Sequence, residues 1–576
     1  MKIKANKNIK LRISFVGSIF FLVLFFIAGR TIQLQVFQSP WLSEKAASQY
    51  ERSQMIRGKR GTIFDANHQK MAVSIDTTSV AAFPKQIENP LETARALSSV
   101  LELNPKNIYQ KLSSKKNFVW IKRQINPKEA QNLKSLSIKG VGFIPENSRV
   151  YPNKILAAQV LGFSGIDGSG LEGIEFLYDP YLKGREIKIK VLKDAKGRGF
   201  GIPPQITEEH QGQQLVLTID RNIQYITETA LEEAVKKYHG QTGLAVVMAP
   251  KTGAVLAMAH YPNFNPNTFD AFDCKIWRNR AITDKFEPGS TLKIFNAAAA
   301  IDSERVTSNT IFFCENGTYR LGGTIIHDTK PHGWLTLKKI IKYSSNIGSV
   351  KVMQTIGPEV LYEYLYKFGF GQKTGIDCPG ETSGSLSHYK KWTLVDAGSI
   401  SFGQGIAVSA IQLVAAASAI ANDGLYMKPH IVHKIIDDSG RTVKIFKPEQ
   451  VRQVISAKSA RIVRKIMQSV VAKGGTGQKA ALSGYSVGGK TGTAQKVSVD
   501  GGYAKDRFVS SFIGFVPVEN PEAVILVVID EPKTHHYGGT VAAPAFRKIA
   551  HGTLQYRKVI PTIASKKLRI AAISKE

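Results

Sequence analysis

Cysteine is nearly absent from this 576-residue chain: only Cys274, Cys314 and Cys378 occur. Three thiols exclude a disulfide framework, and their spacing fits no metal-ligand motif, so no metal is expected. One pair could close outside the cell, and the sequence does not say which. His535-His536, a lone pair in a polar turn, reads as surface. No internal period recurs, which excludes a solenoid. Acidic residues are scarce as well, 45 against 77 Lys plus Arg, leaving a net charge of +32. That imbalance calls for an anionic neighbour: a membrane, nucleic acid or an acidic polymer. Apolar (43%) and charged (21%) fractions are ordinary for a folded chain, and the length predicts more than one domain.

Part of the positive charge lies at the amino terminus, where the first sixty residues hold eleven basic side chains and only Glu44 and Glu51 acidic. Lys2, Lys4, Lys7, Lys10 and Arg12 precede an uncharged apolar run, Ile13 to Gly29. Its seventeen residues are at the short end for a membrane span. The positive flank predicts residues 1–12 in the cytoplasm. A cleaved signal peptide would end its apolar core in small residues. Here Phe25, Phe26 and Ile27 run straight into Ala28-Gly29-Arg30. The reading is an uncleaved single-pass anchor at 13–29, with everything later outside the membrane.

Thr31 to Ser53 continues as a helical stalk, and a strand-and-turn-rich region extends to about Gln211. Within it, Asn89 to Leu101 and Pro127 to Leu136 read as short helices. The basic, Gly- and Pro-rich stretch Lys183 to Gly212 is the linker candidate. A second domain begins near Gln213 with a strand, Gln214 to Ile219, and a helix capped by Asp220. Gly243–Ala249 and Ala254–Ala259 form a hairpin around Lys251-Thr252-Gly253. After a helical middle come three strands, Tyr485–Val497, Ser510–Val516 and Ala523–Ile529. Two early and three late strands predict one antiparallel sheet carrying helices, an α+β fold. Residues 557–576 form a basic tail.

The sharpest local signal is Glu287-Pro288-Gly289-Ser290-Thr291-Leu292-Lys293 before the apolar IFNAAAAI. Pro and Gly end the preceding chain and a helix starts, so Ser290 sits at a helix amino terminus. Lys293, three residues on, shares its face and reaches the hydroxyl. A lysine whose pKa is depressed can activate a serine nucleophile. Ser113–Lys116 and Ser387–Lys390 match the same tetrad without a helix start behind them. Ser344-Ser345-Asn346 is the second element, read on a helix with IIKY before it and IGSV after it, with a hydroxyl to relay a proton and an amide to hold a substrate. The third is Lys490-Thr491-Gly492-Thr493 heading a strand, where a cation meets a carboxylate and Gly492 admits close backbone approach. Lys-Thr-Gly recurs at Lys251 and Lys373, in a hairpin turn and a Gly-rich loop.

In this order and spacing the three motifs resemble those of the penicillin-binding proteins and serine β-lactamases. Thr218-Ile219-Asp220, Ala249-Pro250-Lys251-Thr252-Gly253, Asn279-Arg280-Ala281 and Phe402-Gly403-Gln404-Gly405 also resemble the transpeptidase domain. Arg60-Gly61-Thr62-Ile63-Phe64-Asp65, Arg149-x-Tyr151-Pro152 and Gly170-Leu171-Glu172-Gly173-Ile174-Glu175 resemble the non-catalytic pedestal of class B members. Two departures stand out: Ala66-Asn67-His68 replaces Arg-Asn-Gly, and Phe286 replaces the Tyr before Glu-Pro-Gly-Ser. The resemblance implies a pedestal over 30–212 and a transpeptidase domain over 213–556 with a five-stranded sheet. It implies a D,D-transpeptidase that cross-links peptidoglycan stem peptides ending in D-Ala-D-Ala and is acylated by β-lactams, with no cofactor and no nucleic acid. Ser290 would be the nucleophile and Lys293 the base. Ser344, Asn346 and Lys490 would complete the catalytic set. The N–H groups of Ser290 and Thr493 would form the oxyanion hole, with Thr491, Gly492 and Thr493 binding substrate. Ser-x-Asn leans toward the division-specific type, partnered by an FtsW-like glycan polymerase and other divisome membrane proteins. The alternatives are an elongation-type enzyme, a β-lactam sensor or β-lactamase, and a non-catalytic scaffold.

Overall fold

A computed structural model describes residues 2–193, 199–200, 211–497 and 502–561. The chain forms two compact units, one of residues 1–58 and 184–211, the other of 59–183 and 212–576. The tail expected over 557–576 lies outside the described residues from 562 onward.

In the first unit a helix runs over Lys2–Ile32, enclosing the apolar run. Residues Lys7–Phe37 are helical and apolar enough to cross a membrane, and their side chains are exposed. The helical stretch continues through Ser39–Tyr50 and gives way to a strand, Glu51–Arg57. That strand corrects the linker reading downstream. Glu186–Lys193, eight residues of that stretch, returns antiparallel along it as a strand partner. Its alternating EIKIKVLK pattern carried that signal.

In the second unit, Ile63–Phe64, Lys70–Ala82, Val119–Ile125 and Val141–Val150 form the sheet of the upstream region. Gln214–Leu217 joins it parallel to Ile63–Phe64, and Val432–Ile436 from far downstream adds beyond. Chain from both sides of residue 213 therefore shares one sheet. The three upstream motifs meet here. Glu175, wholly buried, accepts from Arg60 Nε at 2.5 Å and Arg149 Nε at 2.7 Å. Burial alone would raise its pKa, but the two guanidiniums outweigh burial and hold it below the usual carboxylate range. Glu175→Ala would leave buried Arg149 without a carboxylate and Arg60 with Asp179 alone, so we expect a loss of about 3–5 kcal/mol, read as a lowered thermal midpoint.

The five-stranded sheet predicted from sequence is present. Its strands are β1 (Thr242–Met248), β2 (Val255–Tyr261), β3 (Gly488–Val497), β4 (Tyr503–Val516) and β5 (Ala523–Asp530), all antiparallel, in the order β2-β1-β5-β4-β3. Side chains alternate between two cores. Leu244, Val246 and Met248 of β1 face one core with Leu526 and Phe515, while Ala245 and Val247 face the other with Val527 and Phe512. The helix Arg221–Tyr238, capped by Asp220 as expected, and the helix Ala543–Tyr556 cover the second face. On the first face the helix Ala410–Ala421, apolar except for Gln412 and Ser418, is buried at every residue, the signature of a core helix. At twelve residues it is too short to span a membrane. The three cysteines are free thiols, with Cys274 exposed and the other two buried.

Candidate active site

The turn carrying Ser290 is built as its sequence requires. Gly289 adopts φ +54°, a conformation that disfavours side chains. Gly289–Leu292 forms one 3-10 turn that runs into helix α1 (Lys293–Asp302). In a 3-10 turn residues i and i+3 eclipse, so Ser290 and Lys293 share a face. The Phe402–Gly405 loop braces this turn: Gly289 N–H donates to Gly403 C=O at 3.0 Å, and Gly405 N–H donates to Glu287 at 2.9 Å. A Cβ on Gly403 would lie 2.0 Å from Gly289 O, so only glycine permits that approach. Ser290 is half-buried, and its hydroxyl has no hydrogen-bond partner among the described residues; the direct bond to Lys293 expected from the spacing is not made, because Lys293 Nζ turns to Ser344 and Asn346.

Ser344, Ser345 and Asn346 do not lie within one helix, contrary to the sequence reading. Helix α2 (Leu337–Tyr343) ends at Ser344, in the left-handed region at φ 62°, and Ser345 caps helix α3 (Asn346–Ile356). A non-glycine residue held left-handed between two helices is a strained joint, as functional sites often contain. Asp328 holds it. This carboxylate accepts from Ser345 Oγ (2.5 Å), Asn346 N–H (2.5 Å) and Ile347 N–H (3.1 Å). Asn346 Nδ2 donates to His327 C=O. No spacing or periodicity marked Asp328, which stands in a polar loop far from any motif.

The joint brings the predicted lysines together. Lys293 Nζ lies 2.6 Å from Ser344 O, 2.7 Å from Asn346 Oδ1 and 3.3 Å from Ser344 Oγ. Lys490, on β3, donates to the same Ser344 Oγ at 2.9 Å and to Thr491 O. Both lysines are fully buried. Burial lowers the Lys293 amine to about 7, against the opposing pull of Asp328. Burial first, and the Lys293 charge second, hold Lys490 well below the ordinary lysine range. No carboxylate bonds to either ammonium, so the neutral amine is the cheaper buried form.

Strand β3 is the sheet's free edge and passes against the Ser290 turn. A Cβ at Gly492 would meet Ser511 Oγ at 2.2 Å, Thr291 Cγ2 at 2.9 Å and Pro288 O at 3.1 Å. Thr491 Oγ1 donates to Thr476 Oγ1 at 3.2 Å, and Thr493 Oγ1 accepts from Gly538 N–H at 3.1 Å. The structure thus gathers Lys293, Ser344, Asn346 and Lys490 into one hydrogen-bonded cluster beside the Ser290 turn and β3. The other Lys-Thr-Gly copies sit elsewhere: Lys251 begins the β1–β2 turn, and Thr374 donates to Glu381. His535 is exposed as read, while His536 stacks on Phe508 at 4.3 Å.

The sequence profile of the penicillin binding protein transpeptidase domain matches residues 243–551. The chain belongs to that family. The profile of the penicillin-binding protein dimerisation domain matches 55–217, which makes this family member a class B penicillin-binding protein. It is 36% identical over 566 residues to stage V sporulation protein D of Bacillus subtilis, covering 97% of this chain and 87% of that one. It is 31% identical over 548 residues to peptidoglycan D,D-transpeptidase FtsI of Escherichia coli, covering 94% and 91%. Among solved structures, penicillin binding protein 3 of Mycobacterium tuberculosis complexed with aztreonam superposes with a TM-score of 0.70 at 28% identity, covering 88% of this chain and 98% of that one.

Proposed function

We propose that this class B penicillin-binding protein is a peptidoglycan D,D-transpeptidase whose acyl-enzyme forms on Ser290. The observation that carries the mechanism is the shared Ser344 hydroxyl, bonded by two buried lysines of lowered basicity. Ser290 Oγ attacks the penultimate D-Ala carbonyl of a stem peptide, and neutral Lys293 takes its proton. An NH2 group has two N–H bonds, which Ser344 O and Asn346 Oδ1 can accept, leaving its lone pair for the serine proton. Ser344 and Lys490 pass a proton to the departing D-Ala amine, and the C–N bond breaks. The free edge of β3 receives the peptide as an added strand. The N–H groups of Ser290 and Thr493 stabilise the oxyanion, and Thr491 and Thr493 hold the terminal carboxylate, with Gly492 giving the close approach. An amine from a second stem then takes the acyl group.

Fluorescent penicillin should label the wild type and not Ser290→Ala. The adduct also separates this reading from a β-lactamase. Asp328 is held by Ser345 and Asn346, and Glu287 Oε1 accepts from Gly405 N–H and the Tyr503 hydroxyl, which ties both carboxylates to the frame of the site. The penicilloyl ester should persist for many minutes, a barrier above ~20 kcal/mol. Intact mass after removal of excess benzylpenicillin reads this; loss within seconds would make the protein a β-lactamase.

The setting we propose is septal wall synthesis, with an FtsW-like glycan polymerase and other divisome membrane proteins as partners. The Ser-x-Asn motif supports it, together with a relative named FtsI. The apolar helix Lys7–Phe37 supports a single-pass anchor in the cytoplasmic membrane with the catalytic domain on the outer face. Protease added to spheroplasts should digest the large domain and spare a small amino-terminal fragment; resistant full-length protein would overturn this topology.

A further inference from the structure

The spare Ser387–Lys390 tetrad has a different use in the fold. Tyr389–Lys391 is a single 3-10 turn ahead of helix α5 (Leu394–Ser401), which follows helix α4 (Pro358–Lys367) in the chain. Ser387 is taken up by Trp392, whose Nε1 donates to the serine carbonyl and hydroxyl at 3.0 and 2.9 Å. That bond fixes the indole beside α4.

Aromatic rings collect there around Tyr362. Tyr366, one helical turn on, lies 6.0 Å away at 25°, and His388, Tyr389 and Trp392 lie at 4.8, 5.7 and 5.9 Å. Tyr366 is 48% exposed and His388 is exposed too, so these rings are not simply core. The Tyr389 hydroxyl is pinned by Glu359 at 2.5 Å. Lys367, Lys390 and Lys391, all exposed, stand at the patch together with Glu359 and Glu363, so its rim is of mixed charge with cations in excess. Ordered rings left in water, rimmed by charge, mark an interaction surface.

Rings and cations together select the ligand chemistry. A pyranose can lay its apolar C–H face on an aromatic ring while its hydroxyls stay in water. The carboxylates of the stem peptides that hang from the sugar strand meet the lysines. The patch is also continuous with both walls of the active site. Helix α5 starts two residues after Trp392, at Leu394, and ends beside the Phe402–Gly405 loop that braces Gly289. The tip of the hairpin Thr318–Leu321 and Thr324–His327 lies on α5, since a Cβ at Gly322 would sit 3.5 Å from Val395. The far end of that hairpin holds Asn346 through His327.

We propose that the ring patch around Tyr362 binds the glycan backbone of peptidoglycan, holding the strand whose stem peptide enters the Ser290 site. The inference rests on the transpeptidase reading. Full-length protein in detergent is mixed with purified cell-wall sacculi, pelleted and quantified, beside its rate of labelling by fluorescent penicillin. Tyr366→Ala with Trp392→Ala, and separately Lys390→Glu with Lys391→Glu, should each lower sacculus binding about tenfold. Labelling should stay within about twofold of wild type, because none of these four residues belongs to the catalytic cluster. Tyr366→Ala alone, at an exposed position, should weaken binding in the same direction and guards against misfolding. Undiminished pelleting of the labelled variants would overturn the proposal. So would displacement of the wild type by a single-stranded oligonucleotide as readily as by soluble glycan strands. Loss of binding in the variants together with a wild type that penicillin fails to label would sink the transpeptidase reading and leave the sugar patch standing.

Discussion

Between pH 8 and pH 5.5, acylation of the wild type by benzylpenicillin should slow about thirtyfold. The active form of Lys293 is the neutral amine, and burial places its pKa at about 7. Above that value most molecules are competent, and the rate levels off. Below it each pH unit protonates the base further, and the rate drops about tenfold per unit. The direction is opposite to that of a mechanism needing a charged lysine to polarise the carbonyl. Lys293→Ala should lose about 10³-fold in rate and flatten the profile, since the titrating base is gone. Lys293→Ala with Lys490→Ala should acylate at a similarly low rate, because both act through the Ser344 hydroxyl as one unit. Stopped-flow acylation across the pH range reads all three. A flat wild-type profile, or losses that multiply in the double variant, would remove Lys293 as the base.

Asp328→Asn should slow acylation about 10²-fold at neutral pH although the side chain bonds to no reacting atom. Its carboxylate accepts three donors at the start of α3 and thereby fixes the left-handed Ser344 joint. An amide keeps one acceptor oxygen and turns donors toward donors, so the joint loosens and Ser344 leaves the two lysines. A second readout separates this from simple damage. The Asp328 charge favours the protonated Lys293, so removing it should move the midpoint of the pH–rate profile to lower pH. Reduced rate with an unmoved midpoint would show that Asp328 acts by shape alone.

These two predictions differ in how far the sequence could reach. Ser290 was legible because a Pro-Gly stop before an apolar helix aims a hydroxyl, and the other matching tetrads lack that context. Four of the five strands were legible because each has an apolar run of strand length; β3, GGKTGTAQKV, has none. Asp328 was not, because a capping carboxylate in a loop acts on residues seventeen and eighteen positions away, and tertiary folding alone supplies that proximity. The Ser344 break was missed because IIKY and IGSV are both helical by propensity, and only the capping bonds show that the helix stops between them. Gln214–Leu217 read correctly as a strand, but its partners Ile63–Phe64 and Val432–Ile436 lie some 150 and 220 residues off. Hydrophobic pattern names a strand and does not choose its neighbour.

Under selection by β-lactams, Gly492 is a position that mutation cannot use. A side chain there would crowd Ser511, Thr291 and the Pro288 carbonyl, pressing β3 away from the Ser290 turn and impairing the wall-building reaction along with drug binding. Bacteria that depend on this enzyme must find their escape at the periphery of the cleft. Surveillance of resistant lineages should see Gly492 unvaried while substitutions accumulate in the surrounding loops.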